Sequence, residues 1–347
     1  MIQLVRSMAA MLAAVLIATP AAADAVADFY RGKTVRLLVG AAVGGGYDAV
    51  GRAVARHIGR HIRGNPAVVV ENMPGAASLI VMNYAFNKGP RDGTVMALTT
   101  SSVPLESRLR LMSPDGIVPF DVNKANWLGS PAQQPQVLFV WHDVPVNSLD
   151  DLKKNKLVLG AIAAGSDTYI LPTLLRQVFG ANTQVISGYK GTADILIAME
   201  KGEVQGHVAL LANVTAGSPG YLRDKKIRIV LQFGRERARE LPDVPTIVEW
   251  ATSEADREMF RFYTLKYEMA YPITLAPDIP ADRLAAMQKA FNETMDDPQY
   301  QADAKRAGLD ISPIGGEEMS KLIRKINETP PDIVERLRNL ILAQHPK

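Results

Sequence analysis

A chain of 347 residues is long enough for two ordinary cores, so a two-domain arrangement is expected. The absence of cysteine excludes disulfides and thiolate metal sites, and a formal net charge of +3 is too near neutral to signal a nucleic-acid partner. Charged residues at 22% and the lack of any low-complexity tract exclude a disordered chain.

Arg6 precedes an apolar segment, residues 8–17, followed by Thr19, Pro20 and the small run Ala21, Ala22, Ala23. That is the order of a secretory signal peptide, and the segment is too short to span a bilayer. Residues 1–25 are therefore set aside from the fold, with cleavage expected after Ala23 or Ala25. No later segment is apolar enough for a membrane span, so the mature chain reads as a free periplasmic protein.

Residues 34–61 set the pattern for the mature chain. Val35, Leu37, Leu38 and Val39 form a short buried strand, residues 41–46 a loop of small residues, and an amphipathic helix opens at Tyr47 and Asp48. Val50, Ala53, Val54, Ile58 and Ile62 recur at helical spacing. The arrangement aims free backbone N–H groups and a helix dipole at whatever sits above Gly44, Gly45 and Gly46. One glycine would suffice for a turn, so three in a row point to a ligand that needs close approach.

The pattern repeats. Residues 67–70 read as a strand and 76–88 as a helix stopped by Gly89 and Pro90; residues 95–99 are a strand running into Thr100, Ser101 and Ser102. Residues 105–136, with Pro114, Pro119, Pro131 and Pro135, read as an irregular connection in which Trp127 is a packing anchor. Strands follow at 137–141 and 157–162, then a second small-residue loop, 163–168, opening a helix with Asp167 or Thr168 as its cap and Pro172 near its first turn. A strand at 184–187 leads to Gly191 and Thr192, where Thr192 caps a helix over 193–201; strands at 204–210 and 227–233 follow. Helices near 253–260, over 281–296, about 316–327 and 333–343 complete the chain. Strands alternating with helices give an α/β fold of two parallel or mixed sheets. The first domain spans 26–136 and 231–347, the second 137–230, and the crossover strands near 137–140 and 227–230 absorb hinge motion. Ligands in such sheets sit beyond the strand carboxyl ends, which places the site in the interdomain cleft.

Four blocks occur in order: Gly44-Gly45-Gly46-Tyr47-Asp48, Pro90-Arg91-Asp92-Gly93-Thr94, Tyr189-Lys190-Gly191-Thr192-Ala193-Asp194 and Pro242-Asp243-Val244-Pro245-Thr246. In this order the chain resembles the substrate-binding receptors of tripartite tricarboxylate transporters, the Bug family. The resemblance implies a type II periplasmic-binding-protein-like fold closing on a small organic carboxylate, with no cofactor, no metal and no catalysis. It also implies a monomer whose partners are membrane transporter subunits. Carried over by position, ligand contacts fall at Gly44, Gly45, Gly46, Tyr47 and Asp48 in the first domain. In the second they fall at Gly165, Ser166, Asp167, Thr168, Gly191 and Thr192, and the loop after the third strand adds Ser101 and Ser102. Lys190 is the nearest cation. The chain departs from the pattern at Val43, where many members have proline, and at Tyr169, where many have histidine.

Three other readings compete. Gly44, Gly46 and Ala49 with Glu71 at the next strand end could serve a dinucleotide enzyme. His57 and His61, four residues apart, could start a metal site, but Ile58 replaces the glutamate of a zinc-protease motif, and Arg52, Arg56, Arg60 and Arg63 favour a basic solvated helix face. A ligand-loaded partner of a membrane sensor would need the same closure as a transport receptor.

Overall fold

A computed structural model describes residues 24–111, 120–163, 165–215 and 219–343. Residues 1–23 of the expected signal segment, Pro114 and Pro119 of the connection, and Ala164 of the second loop lie outside the described residues. The strands are β1 (Thr34–Val39), β2 (Ala67–Asn72), β3 (Val95–Leu98), β4 (Asn126–Ser130), β5 (Gln136–Trp141), β6 (Leu157–Ala161), β7 (Thr183–Ser187), β8 (Gly206–Leu210), β9 (Ile227–Phe233), β10 (Ile273–Leu275) and β11 (Ile314–Gly315).

Two mixed sheets result. The first runs β11-β4-β10-β3-β1-β2 and the second β7-β6-β8-β5-β9. In the first, β1 is parallel to β2 and β3, while β10 and β11 pair antiparallel. In the second, β6 is parallel to β7 and β8, and β5 is antiparallel to β8 and β9. The two-residue period of β1 explains its burial on both faces. Val35, Leu37 and Val39 pack with Val50, Ala53, Val54 and Ile58 of the helix Gly46–Ile58. Leu38 points the other way, onto Val81 and Ala85 of the helix Leu79–Asn87.

The connection expected to be irregular holds a helix, Val103–Leu109, and the strand β4. Asn126, Gly129 and Ser130 carry no strand pattern of their own; β4 is a strand because β10 and β11 flank it. Gly129 is required there, since its φ is +147° and a Cβ would stand 2.3 Å from the Phe291 ring. Trp127 is buried and its indole donates to the Val122 carbonyl at 3.3 Å. The helix expected over 76–88 begins late. Ala76, Ala77 and Ser78 are left-handed, with φ of 43°, 47° and 74°. Ser78 holds that turn by donating to the Gly40 carbonyl at 2.9 Å and accepting from the Thr100 amide at 3.1 Å. A helix absent from the sequence reading, Pro298–Arg306, starts behind an Asp297 cap that accepts from the Gln299 amide. The helix expected near 253–260 continues to Glu268 because its buried face extends through Tyr263, Thr264 and Tyr267.

The chain crosses between sheets at 131–135 and again after Phe233. Residues 137–140 and 227–230, expected to be the hinge, are instead paired inside the second sheet, with Val140 opposite Arg228 and Leu138 opposite Leu231. One apolar cluster also joins the two halves. It contains Leu105 and Leu109 beside the first sheet, Leu171, Leu174 and Phe179 beside the second, and Phe260, Leu337 and Ile341 from the late helices between them. Phe179 stacks on Phe260 at 5.4 Å between ring centroids.

Candidate functional site

The register fixes which loops meet. Leu98 and Gly129 both pair with Ile273, so the carboxyl ends of β1, β3 and β4 share an edge. Gln136 pairs with Leu210 and Phe233, so the start of β5 and the ends of β6, β8 and β9 share an edge of the second sheet. Residues 131–135 link the two edges directly. The glycine loops after β1, β6 and β7 and the serine loop after β3 all rise from them.

In the first loop only Gly44 needs to be glycine for its backbone, at φ +84°. Gly45 is the extended N-cap and Gly46 the first helical residue; a Cβ on Gly45 would meet only the Ala42 carbonyl at 3.6 Å, and one on Gly46 nothing. Asp48 braces the loop. Its carboxylate accepts from the Gly44 amide at 2.9 Å, Arg52 Nε at 3.0 Å and Asn72 Nδ2 at 2.9 Å. These bonds, Arg52's first, pull its pKa down to about 2 against the opposing effect of burial. Tyr47 folds inward, ring to ring with Tyr271 at 5.1 Å, and its hydroxyl accepts from the Ser101 amide at 3.3 Å. Burial pushes its pKa up. Tyr271 in turn accepts from Gln134 Nε2 at 2.6 Å, tying this loop to the crossing segment. Ser102 stands at the cap of Val103–Leu109, with its hydroxyl 3.1 Å from that of Thr100.

In the second loop the cap position falls on Ser166, neither on Asp167 nor on Thr168. The Ser166 hydroxyl turns back to the Ala163 carbonyl at 2.7 Å and leaves the helix Asp167–Phe179 without a side-chain cap. Thr168 accepts from the Ile162 amide at 3.0 Å. Pro172 lies inside this helix, beyond its first turn. Asp167 carries the most informative contact. Its Oδ1 accepts from Lys266 Nζ at 2.6 Å and from the Tyr263 hydroxyl at 2.7 Å. The cation beside the second loop is therefore Lys266 of the helix Glu254–Glu268, whereas Lys190 forms no ion pair among the described residues. The sequence reading missed Tyr263, Lys266 and Tyr267, although their three- and four-residue spacing marks one helix face.

In the third loop Gly191 is the cap and Thr192 the first helical residue, not the cap. The Thr192 hydroxyl is committed to a neutral network. His207 Nδ1 must donate to the Gly160 carbonyl at 2.8 Å, so Nε2 accepts, and Thr192 donates to it at 3.3 Å. Burial holds the His207 pKa down to about 4.

The helices Gly46–Ile58, Asp167–Phe179 and Thr192–Glu200 thus open at the cleft with no side-chain cap. Elsewhere Asp24, Ser148, Thr246, Ser253 and Asp297 supply side-chain caps, whereas Ala281–Asp296, Gly316–Glu328 and Pro331–Leu342 also start without one. A separate cavity of about 690 Å³ lies toward the β4–β11 and β8–β5–β9 ends of the same edges, and none of the predicted site residues lines it. Arg235, Glu268, Lys305 and Asp310 line that cavity, with Gln134 and Tyr267 on the side nearest the loops.

Residues 50–339 match the family model described as tripartite tricarboxylate transporter family receptor, TctC. The chain belongs to that family. A curated Cupriavidus necator relative, "UPF0065 protein in gbd 5'region", is 25% identical over 317 residues, covering 90% of this chain and 89% of its own length. Among solved structures, a TctC solute binding protein from Polaromonas superposes with a TM-score of 0.69 at 17% identity, covering 90% of this chain and 99% of that one. An R. palustris protein solved with adipate gives 0.58 at 22% identity, covering 88% and 97%. The α/β fold of this TctC-family chain, two mixed sheets with helices, is that of these periplasmic binding proteins.

Family members are solute-binding receptors and not enzymes, and the rival readings meet specific obstacles. Glu71, which a dinucleotide enzyme would place on a ribose, is held by Arg36 through bonds of 2.7 and 2.6 Å. His57 and His61 do not lie on a solvated basic face. Arg56 and His57 bind Asp303 at 2.7 and 3.1 Å, and Arg60 and His61 bind Asp297 at 2.8 and 2.9 Å, stapling this helix to the C-terminal part of the chain. Among the described residues no group of three acidic, histidine or cysteine side chains could hold a metal, and no helix is long and apolar enough to cross a membrane.

Proposed function

We propose that this TctC-family protein is a periplasmic, monomeric receptor. It binds a small organic carboxylate between its two lobes and delivers it to the membrane subunits of a tripartite transporter. The lobes correspond to residues 26–136 with 231–347, and to 137–230; the membership of β1–β4, β10 and β11 in one sheet and β5–β9 in the other supports that division. The observation that carries the reading is the set of glycines the fold does not need. Gly45, Gly46, Gly165 and Gly191 have no positive φ that would demand glycine, and at most one atom lies near where a Cβ would be. They stand at or beside the uncapped helix starts, so the bare backbone serves an approaching anion. Ligand contacts are assigned to Gly44, Gly45, Gly46, Tyr47, Ser101, Ser102, Gly165, Ser166, Thr168, Gly191 and Thr192; Asp48 shapes the first loop, and Asp167 holds the lysine beside the second.

The test is a thermal-shift and calorimetric screen of the mature protein against adipate, succinate, glutarate and citrate, with NAD as the contrasting compound. A carboxylate at a hundred times its Kd should add about 2.7 kcal/mol of stability. A response to NAD alone would replace this reading with a dinucleotide-binding one.

A further inference from the structure

We propose that Lys266 is the residue that reads the charge of the ligand, and that Asp167 is a resident carboxylate occupying its place until ligand arrives. The assignment rests on the carboxylate-receptor reading above and names the recognising side chain of that site.

Lys266 is 8% exposed, so its ammonium is buried and requires an anion partner at all times. That partner comes from another part of the chain, Asp167, the first residue of the helix behind the second glycine loop. The lysine and the Tyr263 hydroxyl converge on a single oxygen, Oδ1, at 2.6 and 2.7 Å. Both of these bonds use the same oxygen, so Asp167 satisfies the donors around it only in part. A carboxylate with both oxygens engaged would be held better.

The surroundings suit an exchange of partners. Lys266 Nζ lies 3.9 Å from the centroid of the Tyr263 ring and 5.2 Å from that of Tyr267. Two ring faces steady the cation whichever carboxylate it meets. The Tyr267 hydroxyl is buried, with its residue 5% exposed, and makes no hydrogen bond of good geometry, although it lies close enough to Asp167 for that carboxylate to add to the burial that raises its pKa. A buried hydroxyl left without a bond is costly and is the natural second donor for an incoming carboxylate. When the ligand takes Lys266 and Tyr267, Asp167 turns out to water. One anion replaces another, and no buried charge is left unpaired.

The experiment measures binding of adipate, succinate and glutarate by titration calorimetry to four folded proteins: wild type, Asp167→Asn, Lys266→Gln and the double variant. Lys266→Gln alone leaves a carboxylate without its cation and could unfold, whereas the double variant removes both charges together. Asp167→Asn should bind at least one of these acids roughly tenfold more tightly than wild type, because the competitor is gone. Both proteins lacking Lys266 should bind it at least roughly tenfold more weakly. A double variant with wild-type affinity, or an Asp167→Asn protein that binds more weakly than wild type, overturns the assignment while leaving the receptor reading intact. If folded wild type and Asp167→Asn take none of the acids, the receptor reading itself falls, and this assignment with it.

Discussion

At the scale of single residues, two kinds of glycine and one histidine make separable predictions. Gly44 is forced by its φ of +84°, so Gly44→Ala should cost about 1–2 kcal/mol of stability, read from denaturant midpoints. Gly45→Val puts its Cβ in ordinary contact with the Ala42 carbonyl at 3.6 Å, should melt within about 0.5 kcal/mol of wild type, and should still weaken carboxylate binding. Arg56→Ala removes a partly exposed pair with Asp303 and should leave binding unchanged. If Gly45→Val binds as well as wild type, the bare-backbone account fails. His207 predicts a pH window. Its pKa falls from the ordinary 6.5 to about 4 on folding, so below pH 6.5 the unfolded chain takes up a proton that the folded one refuses. Stability should be fully present above pH 6.5 and decline as pH falls toward 4, by up to about 3 kcal/mol, and His207→Gln should flatten that slope. Asp48 acts lower, between its ordinary 3.8 and about 2, so unfolding measured as a function of pH separates the two. The glycine loops were legible because their chemistry lies in consecutive residues. Lys266 was not, because its role depends on a helix reaching Asp167 from 99 positions away.

At the scale of elements, bare backbone and not a missing cap distinguishes the glycine loops. Side-chain caps at Asp24, Ser148, Thr246, Ser253 and Asp297 satisfy five helix starts, while Ala281–Asp296, Gly316–Glu328 and Pro331–Leu342 are as bare as the loop-facing ends, which differ in the glycines beside them that the fold does not need. The Asp24 cap bears on processing. Asp24 accepts from the Ala27 amide at 3.1 Å and pairs with Arg63 at 2.7 Å, and cleavage after Ala25 would discard both contacts. Mass spectrometry of the exported protein should therefore find a mature chain beginning at Asp24. A start at Val26 would show that the cap is dispensable. Elements with their own pattern, such as β9 and Ala281–Asp296, were readable to the residue. β4 and Pro298–Arg306 were not: the first is a strand only through its neighbours, and the second is polar, with Tyr300 and Ala304 its buried residues.

At the scale of the whole molecule, the crossing segments and the shared apolar cluster set what motion is available. Any hinge must lie at 131–135 and just after Phe233, because 137–140 and 227–230 are locked in sheet pairing. Hydrogen exchange with and without a bound carboxylate should change in the crossing segments and stay constant in those strands. The reverse pattern would restore the hinge to the strands. The same shared cluster governs the order of assembly. Leu105 and Leu109 on one side and Leu171 and Leu174 on the other are covered by Phe260, Leu337 and Ile341, which follow both in sequence. The staple from Arg56 and Arg60 to Asp303 and Asp297 spans 247 and 237 residues of sequence. The faces of both halves that meet this cluster stay uncovered until those helices dock, even though the second half's other face closes among residues 137–241, and such long-range closure slows folding. The exported receptor proposed above would cross its membrane unfolded, and a fold that waits for its late helices to dock suits that passage.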